Sequence, residues 1–419
     1  MEDFIKAVIF FCLVEMALLE PVPDLVIGRT MKDVEGAEFY AIDVIGLGEM
    51  MGYKVEQHNI TTTDGYLLKL FRIPDSPKLL NQTKKKPVVF LGNGMAATSD
   101  VWLIRGKNRS LAIQLADEGY DVWMANYRGT TYGRAHVKLS PDDRKFWDFS
   151  QHESGIYDFP NSIDYVLNVT NESSLTFIGH SLGTTTIFIT LSELPQYNDK
   201  INLLIMLAPV SVWTHQSPLR KLGPVFSNIL QNLLEPNGTI ELIPQSSALP
   251  ALFKRICFPN NIFDLCFLPF DLLLGKDHYQ LDKKNFVAYN CHYPAGVSAK
   301  MMYHYFQSME SGKFRQWNFN NDFDNIKHYG QSEPPEYNLK NIKSPMIIFY
   351  GHNDPLSHIE DIRAFIKKIS SKTISEPVRF KYFNHIDFVT AIDVKKLVND
   401  RIISRLNQFK NLSLPFLQV

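Results

Sequence analysis

Among the 419 residues, the pentapeptide Gly179-His180-Ser181-Leu182-Gly183 is the clearest chemical signal. It follows a short apolar run at 175–178 and precedes a helix-like pattern over 184–194. A serine at a sharp strand-to-helix turn sits in a strained backbone conformation with its hydroxyl exposed above the sheet, and the flanking glycines let strand and helix approach closely. A serine hydroxyl is a weak nucleophile at neutral pH and needs a base. In such an architecture an acid and then a histidine follow along the chain, each after a later strand. Asp354 lies just past the apolar run 346–350, and His385 just past the strand-like run 378–382. His385 is expected to take the Ser181 proton and return it to the leaving alcohol, with Asp354 orienting the imidazole. Spacing alone does not exclude His304, His328 or His352. Asp387 reads as a brace for the His385 loop, and Asp361 falls a helical turn or more beyond its strand. The oxyanion formed by attack on an ester needs fixed N–H donors. The Leu182 amide and the Met95 amide, in the loop Gly92-Asn93-Gly94-Met95-Ala96, are the candidates.

Those residues need a scaffold, and the pattern supplies one. From about 87 to 210, short apolar runs alternate with helix-like segments, and the rhythm returns at 346–350, 359–369 and 378–382. Such alternation signals βαβ units and a mostly parallel sheet with helices on both faces. The stretch 211–320 is rich in Leu, Phe, Pro and Trp with little strand pattern. It reads as a mainly helical insertion capping the site with apolar surface. The expected organisation is a signal peptide at 1–19, core at 20–210, cap or lid at 211–320, and core again at 321–419.

Composition bounds the partners. With 45% hydrophobic residues the chain can bury a large core, which excludes disorder. Lys+Arg at 43 against Asp+Glu at 44 leaves no basic footprint for nucleic acid. The apolar run 7–19 is too short to span a bilayer and suits a signal-peptide core, although Glu2, Asp3 and Glu15 are atypical of one. Sequons at Asn59, Asn81, Asn108, Asn168, Asn171, Asn237 and Asn411 point to the same secretory route, hence a secreted or lysosomal destination without a transmembrane segment. Of the 4 cysteines, Cys257 and Cys266 are spaced to close a small loop, Cys12 falls in the leader and Cys291 remains. The stretch Gly46-Leu47-Gly48-Glu49-Met50-Met51-Gly52 lacks dinucleotide-binding spacing, and no strand is read before it. No HExxH or paired Cys-x-x-Cys occurs, so no cofactor or catalytic metal is expected.

Longer motifs resemble the acid lipases, the group containing gastric and lysosomal acid lipases and many insect lipases. Residues 62–74 are similar to that family's DGY…RIP segment. So are 126–141, with Arg128-Gly129 and Tyr132, and the following Phe146-Trp147-Asp148-Phe149-Ser150 and His152-Glu153. Pro294-Ala295-Gly296 with Ser298, His304 and Gln307 resembles the cap's PAG segment, and 384–388 the segment carrying the catalytic histidine. The resemblance implies an α/β-hydrolase fold with a helical cap and lid, a Ser181–Asp354–His385 triad and a Cys257–Cys266 cap disulfide. It also implies hydrolysis of water-insoluble esters, triacylglycerols or steryl esters, at a lipid–water interface. Two positions depart from the family: Asn93-Gly94-Met95 stands where it usually has His-Gly-Leu, and Leu182 where it usually has Gln. Both keep the amides, but an absent imidazole at 93 bears on loop support and rate. The competing reading is a catalytically weak lipid-binding or storage protein on a hydrolase scaffold.

Overall fold

A computed structural model describes residues 23–79, 85–215 and 240–411, with Gly223 and Val225. The leader, Cys12, Asn81, Asn237 and the side chain of Asn411 lie outside the described residues. Eight strands form the main sheet: β1 Glu56–Thr61, β2 Leu67–Ile73, β3 Val88–Gly92, β4 Asp121–Met124, β5 Leu175–His180, β6 Ile201–Leu207, β7 Met346–Tyr350 and β8 Thr373–Pro377. Their order across the sheet is β8-β7-β6-β5-β3-β4-β2-β1. β3 to β8 pair in parallel, whereas β2 runs antiparallel to both β4 and β1. The inner strands are buried on both faces, which explains their continuous apolar runs.

Strand alternation splits the interior into two cores. Phe90, Phe177, Leu204 and Ile348 face one side. Helices α2 (Phe159–Thr170), α3 (Leu182–Glu193) and α6 (Ile359–Ile366) cover them. Leu91, Ile178, Ile205 and Phe349 face the other, under α1 (Leu111–Asp117) and α7 (Asp400–Asn411). Among the described residues between β6 and β7 no strand joins the main sheet. Helices α4 (Phe263–Leu274) and α5 (Ala299–Ser311) lie in this stretch. It holds a small core of its own around Phe253, Phe263, Phe267 and Phe286, beside the Cys257–Cys266 disulfide. No described helix is long and apolar enough to cross a membrane.

Two local expectations are corrected. The last strand is Thr373–Pro377, and 378–382 is loop. The apolar alternation there misleads because Val378 is buried as the chain leaves the sheet, its N–H donating to Tyr350 O. The real strand is a half-exposed edge whose Glu376 pairs with Arg401 and Arg405 of α7. A short strand, Tyr40–Ile42, does precede the Gly46–Gly52 stretch, paired with Val26–Gly28. Gly46 and Gly48 serve packing: a Cβ would lie 1.9 Å from Arg29 O at the first and 2.1 Å from Val55 Cγ2 at the second.

Candidate active site

Ser181 stands between β5 and α3 with φ 51° and ψ −114°, outside the regions that side chains favour. The turn holds because its surroundings fix it. Ser181 N donates to Leu207 O (3.1 Å), and Thr184 Oγ1 donates to Ser181 O (2.6 Å). A Cβ on Gly183 would lie 2.5 Å from Gly92 O, so only glycine lets this turn meet the end of β3. Ser181 is half-buried, whereas His385 and Asp354 are buried.

The three side chains converge. His385 Nε2 lies 2.7 Å from Ser181 Oγ, and His385 Nδ1 lies 2.8 Å from Asp354 Oδ2. The other Asp354 oxygen accepts from Leu356 N (2.8 Å) and Ser357 N (2.9 Å), which fixes the carboxylate's rotation. Ser357 Oγ ties that turn to Pro209 O (2.7 Å), just past β6. With Nδ1–H directed at a carboxylate, Nε2 presents its lone pair to the serine hydroxyl.

The other histidines and acids are placed elsewhere. His180 turns its Nε2 to His385 O (2.9 Å), and burial holds its imidazole neutral, pushing its pKa down to about 3. His304 is buried between Ser150 Oγ and Arg315 O, with a pKa pushed down to about 4 by burial. His328 packs on Phe319, and His352 is exposed beside Tyr350. Asp387 accepts from Asn384 N (2.8 Å), bracing the His385 loop, and Asp361 accepts from Thr214 and His215.

Leu182 is the first residue of α3, so its N–H has no carbonyl one turn back within the helix. Met95 is half-buried in the loop after β3, followed by Ala96 in the left-handed region at φ 52°. Asn93 is fully buried and satisfied within that loop. Its Nδ2 donates to Ala125 O (2.8 Å) and Ala97 O (3.3 Å), and its Oδ1 accepts from Trp102 Nε1 (2.8 Å). Its side-chain bonds tie the loop to Trp102 and to the chain just past β4. Ala295 N donates to Ala96 O (2.7 Å), tying the Pro294-Ala295-Gly296 segment to the same loop.

Sequence reasoning missed the partners that hold these loops. Arg128 bonds Asp158 through Nε (2.8 Å) and Asp64 through Nη1 (2.6 Å), and stacks on Tyr66 with its guanidinium 4.1 Å from the ring centre. Two segments that carry the resemblance are thus two sides of one buried ion cluster. The pairing spans 30 and 64 residues, beyond the reach of any local pattern. Among the described residues, His215, His358 and Glu360 group closely enough to share a cation, with the two imidazoles stacked at 3.6 Å.

Comparison with known proteins places this geometry. Residues 87–391 match the alpha/beta hydrolase fold family, and residues 46–106 the partial alpha/beta-hydrolase lipase region. Lipase 3 of Drosophila melanogaster is 36% identical over 86% of this chain and 91% of its own length. Human lysosomal acid lipase/cholesteryl ester hydrolase is 33% identical over 94% of this chain and 100% of its own. Gastric triacylglycerol lipase of Rattus norvegicus is 33% identical over 85% of this chain and 89% of its own. With its eight-stranded sheet and these relatives matched over most of their length, the chain belongs to the acid lipase family of the α/β hydrolases.

Proposed function

We propose that this protein is a serine hydrolase that cleaves carboxylic esters of neutral lipids, triacylglycerols or steryl esters, through an acyl-enzyme on Ser181. The observation that carries this reading is the unbroken chain Ser181 Oγ–His385 Nε2–His385 Nδ1–Asp354 Oδ2, with both links under 3 Å. His385 removes the Ser181 proton as Oγ attacks the ester carbonyl. The Leu182 and Met95 amides receive the oxyanion, and the alcohol leaves with the proton from His385. Water then repeats the sequence on the acyl-enzyme. The names of the human and rat relatives, one a cholesteryl ester hydrolase and one a triacylglycerol lipase, support neutral lipid as the substrate class. Apolar cap surface favours long acyl chains, since each buried methylene contributes about 0.8 kcal/mol.

The reading extends to the compartment. Asn59, Asn108, Asn168 and Asn171 are exposed, as glycan acceptors must be, and the cap disulfide suits an oxidising route to a secreted or lysosomal destination. The departure at Asn93 gives no specific support to a non-catalytic lipid carrier, because its side chain is engaged inside the loop. Wild type and Ser181→Ala are to be compared on emulsified long-chain triglyceride and cholesteryl ester at acidic and neutral pH, with organophosphonate labelling. Turnover and labelling are expected only with Ser181 present. Turnover that survives Ser181→Ala, or greater activity on acetyl than on long-chain esters, would sink the proposal.

A further inference from the structure

The segment leaving α4 runs along the loops that carry Asp354 and His385. Three successive carbonyls grip them: Leu274 O accepts from His385 N (3.0 Å), Gly275 O from Asn384 Nδ2 (2.7 Å) and Lys276 O from Asn353 Nδ2 (2.8 Å). Gly275 has φ +94°, and a Cβ there would lie 1.9 Å from Asn353 O, so the strap lies directly on the loop backbone. Further on, Gln280 O accepts from Ile392 N (3.0 Å), and its side chain exchanges two hydrogen bonds with Asp393.

Two buried carboxyls adjoin here, Asp277 on the strap and Asp387 on the His385 loop, each 3% exposed. Asp277 Oδ1 accepts from Tyr279 N (2.9 Å) and Gln280 N (3.2 Å), while its Oδ2 is buried without a partner. Asp387 Oδ2 accepts from Asn384 N, and its carboxyl faces Asp277. Two carboxylates have no donor between them, and one proton supplies it. The other groups around the pair do not neutralise it. Asp354 adds a third negative charge from the β7 loop, and His385 directs its Nδ1 to Asp354. His180 at the end of β5 is held neutral, while Arg105 is engaged with Asp282 and the Ala391 carbonyl.

We propose that a single proton shared by Asp277 and Asp387 latches the cap strap onto the catalytic loop, holding the site assembled in acid and loosening it as pH rises. The functional consequence rests on the hydrolase reading above; the latch itself does not. Asp277 and Asp387 are positioning residues, acting on chemistry only through the loop that places His385. Burial pushes the Asp387 carboxyl well above its ordinary range, and the Asp277 and Asp354 charges push the same way. A raised folded-state value means that the stabilisation is complete below the unfolded carboxyl pKa of about 3.9 and is lost as pH rises from there through the folded value.

Asp277→Asn tests this, because the amide keeps an acceptor for Tyr279 N and Gln280 N and brings its own donor for Asp387. With a soluble short-chain ester, the alkaline limb of kcat is expected to move up by at least about one pH unit, with KM unchanged. One unit above the wild-type midpoint, wild type retains roughly a tenth of its activity and the variant at least about half. The unfolding temperature of wild type should fall with rising pH more steeply than that of Asp277→Asn, in which burial of Asp387 remains but the facing charge is gone. Asp387→Asn, whose amide donates to Asp277, should behave alike and stands in if the first variant does not fold. An alkaline limb left where wild type has it overturns the proposal, as does the same pH slope of unfolding temperature in variant and wild type. Ser181→Ala run in parallel separates the two ideas: residual turnover there sinks the hydrolase reading, while the unfolding comparison still decides the latch.

Discussion

Replacing Asn93 by alanine should weaken both the fold and the chemistry, by amounts that follow from its three hydrogen bonds. Of the groups it serves, Ala125 O keeps a second partner in Ser99 Oγ (3.1 Å). Trp102 Nε1, on a ring only 2% exposed, and Ala97 O lose theirs. Each buried group left unsatisfied costs about 1–3 kcal/mol, and a water entering the vacated space recovers part of that. The net destabilisation is therefore expected at about 2–4 kcal/mol, read from the shift in urea midpoint at constant slope. The same loop carries the Met95 amide proposed above as an oxyanion donor, and losing such a donor outright costs about 10²–10³ in kcat. Loosening the loop without removing the donor should fall short of that, at roughly 10–100-fold on a soluble ester. Met95→Ala, which alters only the side chain, is the control and should stay within a few-fold. If Asn93→Ala loses less than about 0.5 kcal/mol and keeps its kcat, the support assigned to Asn93 is wrong.

Asp354→Asn should preserve the fold and KM but lower kcat on the order of 10⁴-fold, because the amide no longer selects the His385 tautomer that accepts from serine; steady-state kinetics decide it. Arg128→Ala strands Asp158, which is fully buried, and should lose about 3–5 kcal/mol by urea unfolding while the folded fraction keeps kcat within a few-fold. His180→Gln removes a group whose folded pKa lies below its unfolded one. Its stabilisation is present above about pH 6.5 and lost as pH falls, so wild type should lose on the order of 3 kcal/mol relative to the variant between pH 7 and 4.

The parts of this molecule that read clearly from sequence are those where one local pattern decides the outcome. Continuous apolar runs mark β3, β5, β6 and β7 because inner parallel strands are buried on both faces. The Gly179–Gly183 turn is legible because strand, serine and helix are contiguous. The positions of Asp354 and His385 follow from chain order, since each comes after a later strand. β8 was misplaced because an edge strand carries polar residues, while the loop after it happens to alternate. Asn93, Arg128 and Asp277 escaped for a different reason. Their roles depend on groups 9 to 110 positions away, as in Asn93 with Trp102 and Asp277 with Asp387, and no local periodicity encodes such pairings.

The His385 loop is held on both sides by groups that must be uncharged. On one side His180, neutral through burial, meets the His385 carbonyl. On the other, burial pushes the Asp387 carboxyl well above its ordinary range, and the proposed latch has it share a proton with Asp277. Their linkages have opposite signs. Below about pH 6.5 the unfolded chain protonates His180 while the fold does not, so stability falls with decreasing pH. Above about pH 3.9 the unfolded chain releases the Asp387 proton while the fold retains it, so stability falls with increasing pH. Each linkage has a slope of about 1.4 kcal/mol per pH unit. Where the two linkages act over the same pH range, their opposite slopes offset each other at the loop that carries His385.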